Sequence, residues 1–166
     1  MLAIIRTHFM AIMFAVVACI AISPQGVAAS SSADKATEAA IKQQIQNYEQ
    51  AVNSGKIDSV MRLYTKDAVF MAQNSAPAVG QEAVRSAYCG LFQALKLNIV
   101  FEFDEVQQVS EDWAYVRTRS TGSLSLLAGS KTTLPESNQE MFLLHREADG
   151  QWRITHYIFA TNLSAQ

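Results

Sequence analysis

The residue pattern of this 166-residue chain predicts an α+β domain, helices first and an antiparallel sheet after. Three observations carry that prediction. Up to about Leu95, apolar residues recur at helical spacing; from Leu97 onward they alternate with polar ones at period two, in stretches rich in β-branched and aromatic side chains. Turn signatures punctuate both halves, Asn53-Ser54-Gly55 between helices and Ala148-Asp149-Gly150 between strands. The expected shape is a cone, with three N-terminal helices packed on one face of a strongly curved antiparallel sheet.

The first helix is expected over about 34–53. Ile41, Ile45, Tyr48 and Val52 fall within an arc of roughly 60° on its surface. Asn53 and Ser54 stop it, and Gly55 suits the left-handed closing position. A second, short helix follows over about 58–65, with Asp58 as N-cap and Val60, Leu63 and Tyr64 as its apolar positions. Residues 68–71 read as a strand. The stretch 73–80 reads as a loop because it holds Pro77 and Gly80. The third helix, about 81–95, carries Val84, Tyr88, Leu91 and Leu95 as its stripe, with Phe92 at the margin and Cys89 as a semi-buried filler. Strands follow at about 97–109, 113–127, 137–147 and 151–162, joined by a turn at 110–112, a loop around 129–135 and the turn at 148–150. Strands this long twist, so helices across one face leave a conical cavity at one end. The other face still carries side chains that want burial, which favours a homodimer through the sheet.

The first 29 residues read as a signal peptide rather than as part of the fold. Arg6 and His8 precede an unbroken apolar run at 9–22, too short for a comfortable membrane span, and Val27-Ala28-Ala29 supplies the small residues before a cleavage site near Ser30. Residues 30–35 then form a flexible lead-in and 36–163 a single domain, in a protein that is secreted or periplasmic. Cleavage and lipidation at Cys19, after Val16-Val17-Ala18, is the minor alternative. The full chain has a formal net charge of −2, made more negative by loss of Arg6 with the leader, and no basic run. That balance excludes nucleic acid as a partner, and no stable membrane association is expected after cleavage. Only Cys89 survives cleavage, so no intrachain disulfide forms. No His or Cys pair stands at ligand spacing and there is no Gly-rich phosphate loop, so neither metal nor cofactor is expected.

Five local motifs occur in order: Y-x-x-A-V-N-S-G-x-I-D at 48–58, L-Y-x-x-D-A-V-F at 63–70, G-x-x-A-V-R-x-x-Y at 80–88, D-W-A-Y-V-R-T-R-S-T-G at 112–122 and D-G-x-W-R-I-x-x-Y at 149–157. Together they resemble the ketosteroid-isomerase-like branch of the nuclear transport factor 2 superfamily, and more loosely its SnoaL-like and SgcJ/EcaC-like relatives, over about 36–162. That superfamily hosts isomerases, cyclases, dehydratases, hydrolases and pure binding modules, so fold does not settle function. The isomerase uses a general-base Asp with a Tyr and a protonated Asp as oxyanion hole. The resemblance puts Tyr48 at the tyrosine, seven residues before Gly55. At the base position, the end of the first strand, this chain has Met71-Ala72-Gln73, and the nearest downstream carboxylate is Glu82. The second acid belongs on the next-to-last strand, where the acid read here is Glu140. Steroid isomerisation by that mechanism is therefore not expected.

The candidate site residues follow. Tyr48 and His156 are the candidate catalytic pair. Tyr48 is either a core tyrosine or, with its ring in the cone, a donor to ligand. His156 shares the alternation of Trp152, Ile154 and Ile158, which puts its imidazole on the buried face within reach of Tyr48. Tyr64, Phe70, Tyr88 and Phe92 are expected to line the pocket. Arg117 and Arg119 lie opposite Ala114, Val116, Thr118 and Ser120. They either receive anions in the cone, beside Glu105, or face an interface or solvent. Glu140 points either inward beside Phe142 and Leu144 or outward with Arg146, the solvated position being the default, and His145 is expected in solvent. The function expected is proton transfer on a small apolar or polyketide-like carbonyl compound. The alternative is a non-catalytic ligand-binding or dimeric assembly module.

Overall fold

The computed structural model describes residues 25–129 and 132–163. The leader run at 9–22 and Cys19 lie outside the described residues. The elements are α1 (Gln25–Ser54), α2 (Ile57–Met61), β1 (Tyr64–Met71), β2 (Ala78–Val79), α3 (Gln81–Ala94), β3 (Leu95–Gln108), β4 (Trp113–Leu126), β5 (Thr133–Arg146) and β6 (Trp152–Thr161). They form an α+β fold: helices cover one face of a curved, unclosed six-stranded sheet of order β2-β1-β6-β5-β4-β3. The sheet is mixed rather than wholly antiparallel, because β1 runs parallel to β6. No helix among the described residues is long and apolar enough to cross a membrane.

α1 is dense in good helix formers (Ala, Lys, Glu and Gln) and starts upstream of the expected position 34, passing through 30–35 without a break. It stops where predicted, with Gly55 at φ +66°. α2 is only five residues long. Lys56, not Asp58, holds its N-cap position, and Asp58 in the first turn pairs with Arg85 of α3 at 2.8 Å. β1 starts four residues earlier than local alternation suggests. The last strand sets its register: Ile154 N–H donates to the Leu63 carbonyl at 2.8 Å, and Tyr64 lies opposite Ile154.

The long strands β3, β4 and β5 pair along nearly their whole length. Gly122 allows β3 and β4 to close up. A Cβ there would lie 2.1 Å from the Asn98 carbonyl oxygen, so only glycine fits this point of the ladder. α1 is tied to β3 by backbone-mimicking side chains. Asn53 Nδ2 donates to the Ile99 carbonyl (2.7 Å) while its Oδ1 accepts from Ile99 N–H (2.9 Å), and Glu49 accepts from Phe101 N–H (2.7 Å). The core lies between this clamp, α3 and the inner sheet face. Ile41, Ile45, Val84, Val116, Phe142, Leu144 and Ile154 are fully buried there.

Candidate functional site

A cavity of about 270 Å³ opens between α1, α3 and the inner face of the sheet. Leu91, Leu95, Leu97, Ile99 and Leu124 give it an apolar wall, and the rings of Tyr48, Phe70, Tyr88, Tyr157 and Phe159 another. Glu136 and Glu140 are its two charged residues, and no Lys, Arg or His lines it among the described residues. Aromatic packing stiffens the wall: Phe142 stacks on Tyr157 with centroids 4.2 Å apart, and Phe70 on Tyr88 at 5.0 Å.

Three phenols meet behind this surface. The Tyr88 hydroxyl lies 2.5 Å from that of Tyr48 and 2.8 Å from that of Tyr64. Either hydroxyl of each pair can donate. Tyr64 lies behind the wall, while Tyr48 and Tyr88 line the cavity. Burial raises all three phenols well above their usual range, so they stay protonated and serve as donors.

The acids, Glu136 and Glu140, sit on β5, four residues apart on its inward face. Glu140 is 6% exposed. Thr118 donates to its Oε2 at 2.6 Å, and its Oε1 lies 2.8 Å from Ser120 Oγ and 3.2 Å from the Tyr157 hydroxyl. Burial pushes its carboxyl up to about 7, against the pull of those hydrogen bonds. Glu136 is 8% exposed and its Oε1 lies 2.8 Å from the same Ser120 hydroxyl and accepts from the Asn138 amide. Its carboxyl is also raised by burial. Glu136 Oε2 is buried without a partner.

Of the residues singled out in the sequence, Tyr48, Phe70, Tyr88 and Glu140 line the cavity together. Glu140 faces inward, contrary to the solvated default. The strand alternates cleanly through Phe142 and Leu144, and its cross-strand partner Thr118 lies on the small, buried face of β4. Tyr64 sits one layer behind, in contact through Tyr88. Phe92 packs its ring 5.7 Å from that of Tyr88 but lines a separate groove with Gly55 and Leu127.

His156 is on the other side of the sheet. Alternation along β6 breaks at Thr155, which is buried and donates to the Leu143 carbonyl at 3.0 Å. The resulting bulge pairs His156 with Leu143 and turns its imidazole out, while Tyr157 takes the inward place beside Glu140. Arg119 also faces outward, paired with Asp104 (3.0 Å) and Glu102 (3.1 Å), and Arg117 pairs with Glu105 (3.1 Å). Neither is an anion receptor in the cone. His145 is half-buried between Glu147 (2.9 Å) and Asp112 (3.4 Å), which together raise its pKa. Ala72 follows β1 where the acid would stand, Glu82 is exposed, and Gln73 and Asn74 reach the cavity instead. Sequence reasoning missed Tyr157, which the bulge brings inward, and Glu136. Pro135 places Glu136 in a loop, although Pro135 stands in the ladder opposite Ser123.

The SnoaL-like domain family matches residues 45–156 of the chain. A ketosteroid isomerase-like protein from Erwinia carotovora atroseptica SCRI1043 is 31% identical, superposes with a TM-score of 0.72, and is matched over 76% of this chain and 96% of its own. A candidate scytalone dehydratase from Novosphingobium aromaticivorans DSM 12444 shares the fold at 16% identity, with a TM-score of 0.70 over 80% of this chain and 89% of its own. A candidate calcium/calmodulin-dependent protein kinase II association domain from Xanthomonas campestris does so at 16% identity and a TM-score of 0.64, over 75% and 87%. No curated protein matches the chain. A pocket walled by a buried tyrosine chain and roofed by a curved sheet is what the matched span builds, and the chain belongs to the SnoaL-like domain family of the nuclear transport factor 2-like superfamily.

Proposed function

We propose that this protein is an exported enzyme of the SnoaL and ketosteroid-isomerase type, transferring a proton on an apolar carbonyl compound without a cofactor. The observation that carries this reading is Glu140, a carboxyl raised to about 7 inside an apolar cavity that Tyr48 and Tyr88 also line. An acid with a pKa near the working pH is suited to general acid–base work, since both its forms are populated. A carbonyl oxygen set against the Tyr48 hydroxyl would gain most from that donor as negative charge develops on it. The isomerase-like and dehydratase-like relatives support the same chemistry by analogy.

The missing base at Ala72 favours a second reading, a non-catalytic binding or assembly module that uses the same cone. One experiment separates the two. The bicyclic ketone 2-tetralone is incubated with the protein in heavy water, and loss of its α-protons is followed by NMR. Catalysed exchange that falls by about 100-fold in Tyr48→Phe supports the enzyme, the loss expected for an oxyanion donor. Binding of the ketone without exchange supports the module.

A further inference from the structure

Ser120 sets a proton-counting problem. Its Oγ lies 2.8 Å from Glu136 Oε1 and 2.8 Å from Glu140 Oε1, yet a hydroxyl has one proton to donate. Both contacts are hydrogen bonds only if one of the two carboxyls carries a proton and donates it to Ser120. Burial, which raises the Glu140 carboxyl to about 7 against its hydrogen bonds, puts that proton on Glu140. With the proton on Oε1, Glu140 donates to Ser120, Ser120 donates to Glu136 Oε1, and Thr118 and Tyr157 still donate to Glu140. Glu136 then remains a carboxylate, with Asn138 and Ser120 on Oε1. Its other oxygen, Oε2, has no partner although the residue is more than nine-tenths buried and lines the cavity. An ionised oxygen left unpaired in such a place costs free energy unless a ligand answers it.

We propose that Glu136 and Glu140 share one proton through Ser120, and that Glu136 Oε2 is the catalytic base of this pocket, in place of the acid absent at Ala72. This deepens the proton-transfer reading and rests on it. The carboxylate takes a proton from the carbon next to a carbonyl. The C–H pair moves into the enolate π system, the charge develops on the oxygen held by Tyr48, and Glu136 becomes a neutral acid. Return of that proton to the same or a conjugated carbon reforms a C–H bond and the carboxylate, so the cycle consumes nothing and is a 1,3-shift or an exchange. Ser120 and Glu140 are positioning residues in this scheme, fixing the tautomer that keeps Oε2 ionised.

The groups facing the pair are Tyr157 of β6, Tyr88 of α3 and Tyr48 of α1, all held protonated by burial, with Thr118 and Ser120 of β4. No cation among the described residues lines the cavity, so the pair's own proton sets its charge. Burial raises both carboxyls, Glu140 to about 7, so the pair holds a proton to higher pH than solvated carboxylates do. The bridge stabilises that state against both its neighbours, so removing Ser120 raises the lower apparent pKa and lowers the upper one.

The test uses the full protein and 2-tetralone exchange across pH, with melting curves to verify folding. Glu136→Gln is expected to lower kcat by about 100-fold or more with KM within about threefold, the size of a lost general base. Glu136→Asp keeps the charge but withdraws it by one methylene, so kcat falls while the pH limbs stay. Ser120→Ala keeps both carboxyls and is expected to narrow the bell-shaped profile from both sides. Wild-type kcat in Glu136→Gln, with Tyr48→Phe still impaired, overturns the base assignment and leaves the proton-transfer reading standing. An unchanged profile in Ser120→Ala overturns the shared proton. A wild-type protein that binds the ketone without exchanging it overturns both readings together.

Discussion

A glutamate at 140 is worse for folding than its neutral isostere, and the size of the penalty follows from its pKa. The folded value of about 7 stands above the ordinary 4.5, so the native state binds the proton more tightly than the unfolded chain does. Whatever stability Glu140 contributes is fully present below about pH 4.5, and is lost as pH rises through 7. A difference of this size amounts to roughly 3 kcal/mol above neutrality. Glu140→Gln keeps the shape and an acceptor for Thr118 while removing the ionisation. We expect the variant to be more stable than the parent at pH 8 by about 2 kcal/mol, and the gain to vanish by pH 5. Urea titrations at the two pH values measure this; equal stabilities at pH 8 would mean that the carboxyl is not held against its ionisation. A residue kept at such a cost in a cavity wall points to use rather than to packing.

At the scale of elements, the α1–β3 clamp carries more than its two residues suggest. Asn53 gives β3 both bonds of a missing neighbouring strand at Ile99, and Glu49 repeats the acceptor half at Phe101. These bonds cap an edge strand and set the height of Tyr48, one turn upstream on α1. Asn53→Ala leaves the Ile99 N–H and carbonyl unpaired and should cost about 2 kcal/mol, read as a lower urea midpoint at unchanged slope. A cost under about 0.5 kcal/mol would show that water replaces the clamp. Elements of this kind also mark what the sequence displayed and what it hid. The stripes of α1 and α3, the turn at Gly55 and the small-residue face of β4 were legible because each is a local signal; which way that face of β4 points was not. The register of β1 was not, since β6 sets it from ninety residues away. Nor was the bulge at Thr155, which reversed His156 and replaced it with Tyr157 at the site. Glu140 was recognisable as a candidate acid but not its inward facing, because the partner hydroxyls Thr118 and Ser120 lie on another strand. Glu136 was hidden by its neighbour Pro135, a residue that local rules put in a loop and that the ladder accommodates.

At the scale of the whole molecule, one face of the sheet is left without cover among the described residues. Helices and cavity take the inner face; on the outer one Met141 and Ile158 stand opposite each other on β5 and β6, each 45% exposed, with Val100 on β3 at 56%. Arg117 and Arg119 cross the same face, each already paired with an acid of β3, so their charge is answered within the sheet. Apolar side chains ringed by satisfied charges are the composition of an interface core with a polar rim. We propose that two copies pack sheet against sheet here, burying roughly 800 Å² a side, the standard for a stable dimer. Light scattering at micromolar concentration should then give twice the mass of one chain. Ile158→Glu would set a like charge near its own copy across the two-fold axis and return the mass to that of one chain, with the fold intact. The wild type at monomer mass would sink the proposal. A dimer unaffected by Ile158→Glu would move the interface off this face. A dimer would also put a second sheet behind β4 and β5, the strands that hold Ser120 and the two carboxyls. Ile158→Glu should therefore lower 2-tetralone exchange as well as mass, through a less rigid β5, even though no outer residue touches the cavity.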